Sequence, residues 1–151
     1  MSNFHRYFFI MPTLARFELE VFTRAEAGKP LSVKMLNELM ADLFAEGYGD
    51  TLQDDPARTG ITWATFLHLY MPFYTFQYSI GISAAHAIGE KVIAGDSGAA
   101  ERYLDFLKAG GSLYTMDLFN LAGVDMATPQ AVNSAFKVME GNIDLMEEIA
   151  G

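Results

Sequence analysis

Residues 63–78 of the chain read WATFLHLYMPFYTFQY, and they lie in a segment between Arg58 and Glu90 that contains no charged side chain. An uncharged segment of this length is long enough to span a membrane. His68, Pro72 and several tyrosines fall inside it, however, and Lys and Arg do not cluster close to one end, as they do beside membrane spans. The segment therefore favours a buried helix in a soluble protein.

Apolar residues recur at helical spacing on both sides of this segment, and no alternation of period two lasts long enough for a strand. We predict an all-α fold, a multi-helix bundle that forms a single helical domain or fragment over residues 1–151. Within the uncharged segment, we expect a helix from about Pro72 to about Ala94, because proline suits a first helical turn. Residues 61–70 are either helical or irregular. The predicted helices cover about 4–27, 32–46, 61–94, 97–109, 115–122 and 129–149.

Several helix boundaries carry local signals. Ser32, Ser97 and Thr128 each have a hydroxyl placed to cap the first turn of the helix that follows. Pro12 is expected to bend or split the first helix, since proline has no backbone N–H to donate. Gly28 is expected to end that helix.

The composition excludes several classes of protein. With 151 residues, the chain has the size of one domain. Hydrophobic residues make up 51% and charged residues 19%, which excludes disorder and low complexity. The formal net charge of −9 argues against binding to nucleic acid, itself a polyanion. No cysteine is available for a disulfide or a metal, and no secretory signal is evident, so we expect a cytoplasmic protein.

The short motifs of common enzyme classes are absent. The chain has no His-Glu-x-x-His zinc motif, no phosphate-binding P-loop and no Gly-x-Ser-x-Gly. His86 and Glu90 lie four residues apart on a predicted helix, so they share a face; a local hydrogen bond is a commoner role for such a pair than metal ligation. His5 lies near the N-terminus and is interpreted as a surface or packing residue.

One histidine and three tyrosines, His68, Tyr70, Tyr74 and Tyr78, fall within the aromatic segment. They are consistent with an aromatic-rich core. They are equally consistent with the wall of a cavity that binds a peptide backbone, because their polar tips can donate to a carbonyl that gains charge in a transition state. The spacing alone leaves both interpretations open.

The stretch HLYMPFYTFQYSIG, residues 68–81, resembles the C-terminal signature of the oligoendopeptidase F family, zinc metallopeptidases related to thimet oligopeptidase. Other segments are similar to the family in the same order along the chain, namely 16–20, 30–39, 101–112 and 122–126. The resemblance implies an all-helical, two-lobed fold around a deep channel that admits oligopeptides. It also implies a zinc ion held by the two histidines of His-Glu-x-x-His and a further glutamate. None of these ligands is present, so the chain resembles the C-terminal part of a longer enzyme and is expected to be inactive alone.

The resemblance also implies roles for the aromatic segment. His68 and Tyr74 match residues that donate to the oxyanion, and Tyr78 and Tyr70 are assigned to substrate binding. The thimet-like branch has a further tyrosine near the position of Gly81, which this chain lacks. No metal ligand is assigned to this chain.

The expected partners follow from these assignments. They are an oligopeptide substrate and either a missing N-terminal catalytic part or a second copy of the chain, bound through exposed apolar surface. The alternative function is a freestanding helical module that binds peptides or proteins without catalysis.

Overall fold

The computed structural model describes residues 2–151, and no β-strand occurs among them. The predicted all-α class is therefore confirmed. None of the helices in this range combines the length and apolarity that a membrane span requires. The main helices are α1 (Met11–Glu26), α2 (Val33–Tyr48), α3 (Gln77–Ile93), α4 (Ala99–Ala109), α5 (Thr115–Leu121) and α6 (Gln130–Ala150).

The chain folds as two compact units, Ser2–Ser79 and Ile80–Gly151. The core of the first unit lies between α1 and α2. Its buried side chains are Met11, Leu14, Phe17, Met40, Leu43 and Phe44. Burial of each such side chain stabilises the fold by about 1.5–3 kcal/mol. The half-buried Trp63, Phe66 and Tyr78 pack against this core, which anchors the aromatic segment to it.

The N-terminal helix changes its winding just before Pro12. An α-helical turn, Ser2–Phe4, is followed by the π-helical segment His5–Ile10, and α1 then begins. The amide of Met11 donates to the carbonyl of Arg6, five residues earlier. Because Pro12 has no N–H and its ring crowds the preceding turn, a wider turn at this point relieves the clash. Pro12 thus alters the winding and does not split the helix.

The start of α3 differs from the prediction. The helix begins at Gln77, and Pro72 lies in the irregular stretch before it. Met71 has an extended backbone, as expected for the residue before a proline. Phe73 has a φ of 54°, in the left-handed region, so a right-handed helix cannot pass through it. Residues 61–70 hold only two short helical turns, Thr62–Thr65 and Leu67–Tyr70.

The second unit is built on small side chains. Its core cluster contains Ala87, Ile88, Ala122, Val124 and Ala131, with Phe106 and Met126 packed against it. The ammonium of Lys91 donates to the carbonyl of Gly123, just beyond the C-terminal end of α5. A cation is favourable at this position because the end of a helix carries partial negative charge.

Of the three predicted helix caps, only that of Ser32 forms. Its hydroxyl oxygen accepts from the amide of Met35 at 3.2 Å. At α4 the capping residue is Gly98, with left-handed backbone, and Ser97 makes no capping hydrogen bond. At α6 the hydroxyl of Thr128 donates backwards to the carbonyl of Asp125 and so leaves the helix uncapped.

Candidate functional site

Three of the four predicted site residues form one cluster in the first unit. His68 Nε2 and the Tyr78 hydroxyl are hydrogen-bonded at 2.9 Å. The Tyr74 ring lies 5.6 Å from the His68 ring and 5.6 Å from the Tyr78 ring, between centroids. All three side chains are half-buried, so their polar atoms combine a fixed position with access from solvent.

The conformation of the backbone before the cluster determines where the His68 side chain lies. Phe66 is extended, and the 3₁₀ turn Leu67–Tyr70 follows it. The rings of Phe66 and His68 contact each other, with 5.0 Å between their centroids. Slightly upstream, Trp63 Nε1 donates to Asn37 Oδ1 at 2.8 Å, which joins this segment to α2.

Tyr78 is held from the other side by the π-helical turn. Its ring stacks on Tyr7 at 5.4 Å with an interplanar angle of 13°. In the π-helical pattern the residue that would donate to the carbonyl of Tyr7 is Pro12, which has no N–H. The hydroxyl of Ser79 donates to this carbonyl instead, at 2.6 Å. The proline in the first helix therefore helps to hold the first turn of α3 and, with it, Tyr78.

A cavity of about 300 Å³ opens beside the cluster. Its volume is at the lower end of the range typical of ligand pockets. The lining residues are Arg6, Tyr7, Ile10, Met11, Phe66, His68 and Tyr78. The sequence does not single out Arg6 and Tyr7, because their neighbours at helical spacing are apolar and the segment predicts only a helix over about 4–27. The signal that could have revealed them is Pro12, which changes the face that the preceding residues present.

The electrostatics of the cluster favour a protonated phenol. A side-chain hydrogen bond with Tyr74, together with desolvation and the nearby hydroxyls of Tyr74 and Tyr7, raises the pKa of the Tyr78 phenol above its ordinary value. Tyr78 therefore keeps its proton at neutral pH. A protonated phenol can donate a hydrogen bond to an oxygen atom that gains negative charge.

The structure does not bring Tyr70 into this cluster. Its side chain is 65% exposed, and its hydroxyl donates to the carbonyl of Ala64 at 3.0 Å. His5 lies apart as well, hydrogen-bonded through Nε2 to the Tyr48 hydroxyl at 2.7 Å. The role of Tyr70 in substrate binding stays a prediction.

Zinc, which the resemblance implies, does not fit the residues of this chain. No group of three His, Asp or Glu side chains comes together to hold a metal ion within residues 2–151. His86 and Glu90 both line an apolar groove on α3 in the second unit, with Val138 of α6 opposite. Two donors are fewer than the three protein ligands of a catalytic zinc site.

Comparison with known proteins defines the family to which this all-helical chain belongs. The model of peptidase family M3 matches residues 2–138, so the chain belongs to this family. The predicted family is thereby confirmed.

Individual relatives give the extent of the similarity. The chain is 36% identical to oligopeptidase PepF of Bacillus subtilis over 99% of its own length and 22% of that protein. It is 35% identical to the chromosomal oligoendopeptidase F of Lactococcus lactis, again over 99% of this chain and 25% of that protein. The crystal structure of oligoendopeptidase-F from Enterococcus faecium superposes with a TM-score of 0.92 at 34% identity, over 97% of this chain and 28% of that one. The chain thus spans about a quarter of these relatives and corresponds to their C-terminal region.

Proposed function

We propose that this chain is the C-terminal part of a zinc-dependent endopeptidase that cleaves oligopeptides, and that it provides the hydrogen-bond donors that stabilise the oxyanion. The observation that carries the proposal is the cluster of His68, Tyr74 and Tyr78 beside an open cavity. Membership in peptidase family M3 supports a peptide as the substrate.

The chemistry of the cluster suits this task. When water attacks a peptide bond, the carbonyl oxygen gains negative charge, and donors already in place stabilise it without reorganisation. Tyr78 is hydrogen-bonded to His68 Nε2 and retains its proton at neutral pH. If Nε2 carries the ring proton, it donates to the phenol oxygen, and the phenol proton can then pass from its contact with Tyr74 to a substrate oxygen. Tyr74 supplies a second hydroxyl, and its ring contacts the rings of His68 and Tyr78.

The proposal assigns the zinc site and the general base to polypeptide outside these residues. The sequence contains no His-Glu-x-x-His motif, and no metal-binding group forms among residues 2–151. The chain by itself is therefore expected not to hydrolyse peptides, even with zinc added, because nothing in it generates the nucleophile.

A graft tests the proposal directly. The corresponding C-terminal region of Enterococcus faecium oligoendopeptidase-F is replaced by this chain, and cleavage of a quenched fluorescent oligopeptide is measured. We expect cleavage by the graft and none by the chain alone with equimolar zinc. A graft that is folded and binds one zinc ion but fails to cleave the peptide would contradict the proposal.

The same graft distinguishes a catalytic role from that of a module that binds peptides without cleaving them. The cluster and its cavity lie entirely within the first unit, which has its own core, so oligopeptide binding can be measured on the isolated chain without zinc. A freestanding binding module would bind the oligopeptide as the isolated chain and leave the folded, zinc-loaded graft inactive.

A further inference from the structure

The turn that carries Tyr74 is under backbone constraint. Its residue Phe73 has a φ of 54°, a backbone conformation that residues other than glycine rarely adopt. Thr75, on the other side of Tyr74, is fully buried. The direction of the Tyr74 ring therefore depends on whatever keeps Phe73 in its left-handed conformation.

Glu18 on α1 provides that restraint. Its carboxylate accepts a hydrogen bond from the backbone N–H of Phe73. One helical turn further along α1, the ring of Phe22 contacts the ring of Phe73 at 4.9 Å. The same face of α1 thus holds both the backbone and the side chain of the constrained residue.

The environment of Glu18 is costly for a residue with only a packing role. It is 4% exposed, and no Lys, Arg or His side chain in the described range, 2–151, forms an ion pair with it. A buried carboxylate without an ion pair is unfavourable, and an apolar side chain would fill the same space at lower cost. What an apolar side chain lacks is an acceptor for the Phe73 amide.

We propose that Glu18 is a positioning residue of the candidate site. Its carboxylate holds Phe73 in the left-handed conformation and so sets the Tyr74 ring against His68 and Tyr78. The consequence for catalysis rests on the proposed function, whereas the positioning itself does not.

Nuclear magnetic resonance of the full 151-residue chain tests the positioning. Glu18→Leu removes the acceptor, Glu18→Gln keeps one, and Glu20→Leu is the matched control, since Glu20 lies on the same helix in an ion pair with Arg24. We expect Glu18→Leu to lose the nuclear Overhauser contacts between the Tyr74 and His68 rings while those between His68 and Tyr78 persist. Glu18→Gln and Glu20→Leu should retain both sets. Retention of the Tyr74 contacts in folded Glu18→Leu would overturn the proposal.

A second measurement applies if Glu18→Leu does not fold. In the unaltered chain, the amide of Phe73 should be protected from hydrogen exchange, and Glu18→Gln should reduce this protection, because a neutral acceptor forms a weaker hydrogen bond. A Phe73 amide that exchanges at the rate of an unfolded peptide would equally overturn the proposal.

The catalytic consequence is measured in the graft. Glu18→Leu is expected to lower kcat at least about tenfold with KM nearly unchanged, and Glu18→Gln should restore most of the rate. An inactive graft would count against the proposed function alone, because the ring contacts are read in the isolated chain. An unchanged kcat in an active Glu18→Leu graft would refute the catalytic role of the positioning.

Discussion

At the scale of single residues, the candidate site depends on a few polar contacts whose partners are distant in sequence. His68 meets Tyr78 across ten residues, and Ser79 meets the Tyr7 carbonyl across 72. Such contacts are sensitive to the loss of a single hydroxyl. Because the Tyr78 hydroxyl is one of these groups, its ionisation should be measurable through the stability of the fold.

The raised pKa of Tyr78 predicts how stability depends on pH. A phenol whose pKa is higher in the folded state stabilises the fold fully below its unfolded pKa of about 10, and this contribution is lost as pH rises through the folded-state value. Stability should therefore fall above about pH 10, and by less in Tyr78→Phe. Urea unfolding at a series of alkaline pH values measures this.

Two other tyrosines help to interpret that titration. Desolvation, and after it the charge of Asp54, also raises the pKa of Tyr48, which adds to the same fall in both chains. Tyr114→Phe removes a hydroxyl from a side chain that is 86% exposed and serves as the control. An identical alkaline loss of stability in the unaltered chain and Tyr78→Phe would show that Tyr78 is not perturbed.

Replacement of Thr75 should stabilise the fold, whereas most substitutions in a protein core destabilise it. Its side chain is fully buried, and within residues 2–151 its hydroxyl has no hydrogen-bond partner. An unsatisfied buried polar group costs roughly 1–3 kcal/mol. Thr75→Val should therefore raise the free energy of unfolding by about 1 kcal/mol, measured by urea titration.

Thr13→Val is the matched control for this change. Thr13 is also buried, but its hydroxyl donates to the carbonyl of Phe9 at 2.7 Å, so the substitution should give no gain. A loss of stability in Thr75→Val would mean that its hydroxyl is satisfied after all.

The sequence was sufficient to predict which residues form the cluster, but it did not predict their geometry. His68, Tyr74 and Tyr78 were selected by a motif, and the structure brings them together. Tyr70 belongs to the same motif, yet its hydroxyl turns to the Ala64 carbonyl. The direction of Tyr70 follows from the 3₁₀ turn and that of Tyr74 from the left-handed Phe73, and neither residue type nor periodicity indicates those conformations.

At the scale of elements, most helices could be predicted and several of their first residues could not. Apart from α3, and when the helical turns from Ser2 to Ile10 are counted with α1, the helix bounds lie within two residues of those expected from periodicity. Helix starts depend on competing local contacts. The hydroxyl of Thr128, for example, donates to Asp125 and is lost as a cap.

The contrast between two serines tests helix capping. Ser32→Ala removes the acceptor of the Met35 amide and should lower the free energy of unfolding by about 1 kcal/mol. Ser97→Ala, beside a helix whose capping residue is Gly98, should change it by less than about 0.5 kcal/mol. Thermal unfolding of both variants measures the difference. Equal losses would contradict the assigned capping residues.

At the scale of the whole molecule, the chain presents large apolar side chains to solvent. Leu67 is 79% exposed, Ile93 89% and Ile149 78%. In a chain that spans about a quarter of its relatives' length, such side chains are candidates for contact with polypeptide beyond these residues.

We therefore predict that the isolated chain self-associates, most simply as a symmetric dimer. Multi-angle light scattering across the micromolar range should give a mass that rises above 16.7 kDa with concentration. Ile93→Lys should reduce the association, because it replaces a highly exposed apolar side chain with a charge. A constant monomeric mass over that range would refute the prediction.

The most direct test of the proposed function is the turnover of the graft with and without the Tyr74 hydroxyl. Tyr74→Phe and the exposed control Tyr114→Phe are compared for cleavage of one oligopeptide, with zinc content and folding verified in each. We predict that Tyr74→Phe lowers kcat by about 10²–10³-fold with KM nearly unchanged, as expected for loss of one oxyanion donor, and that Tyr114→Phe leaves both unchanged. An unchanged kcat in Tyr74→Phe would contradict the assignment of this cluster to transition-state stabilisation.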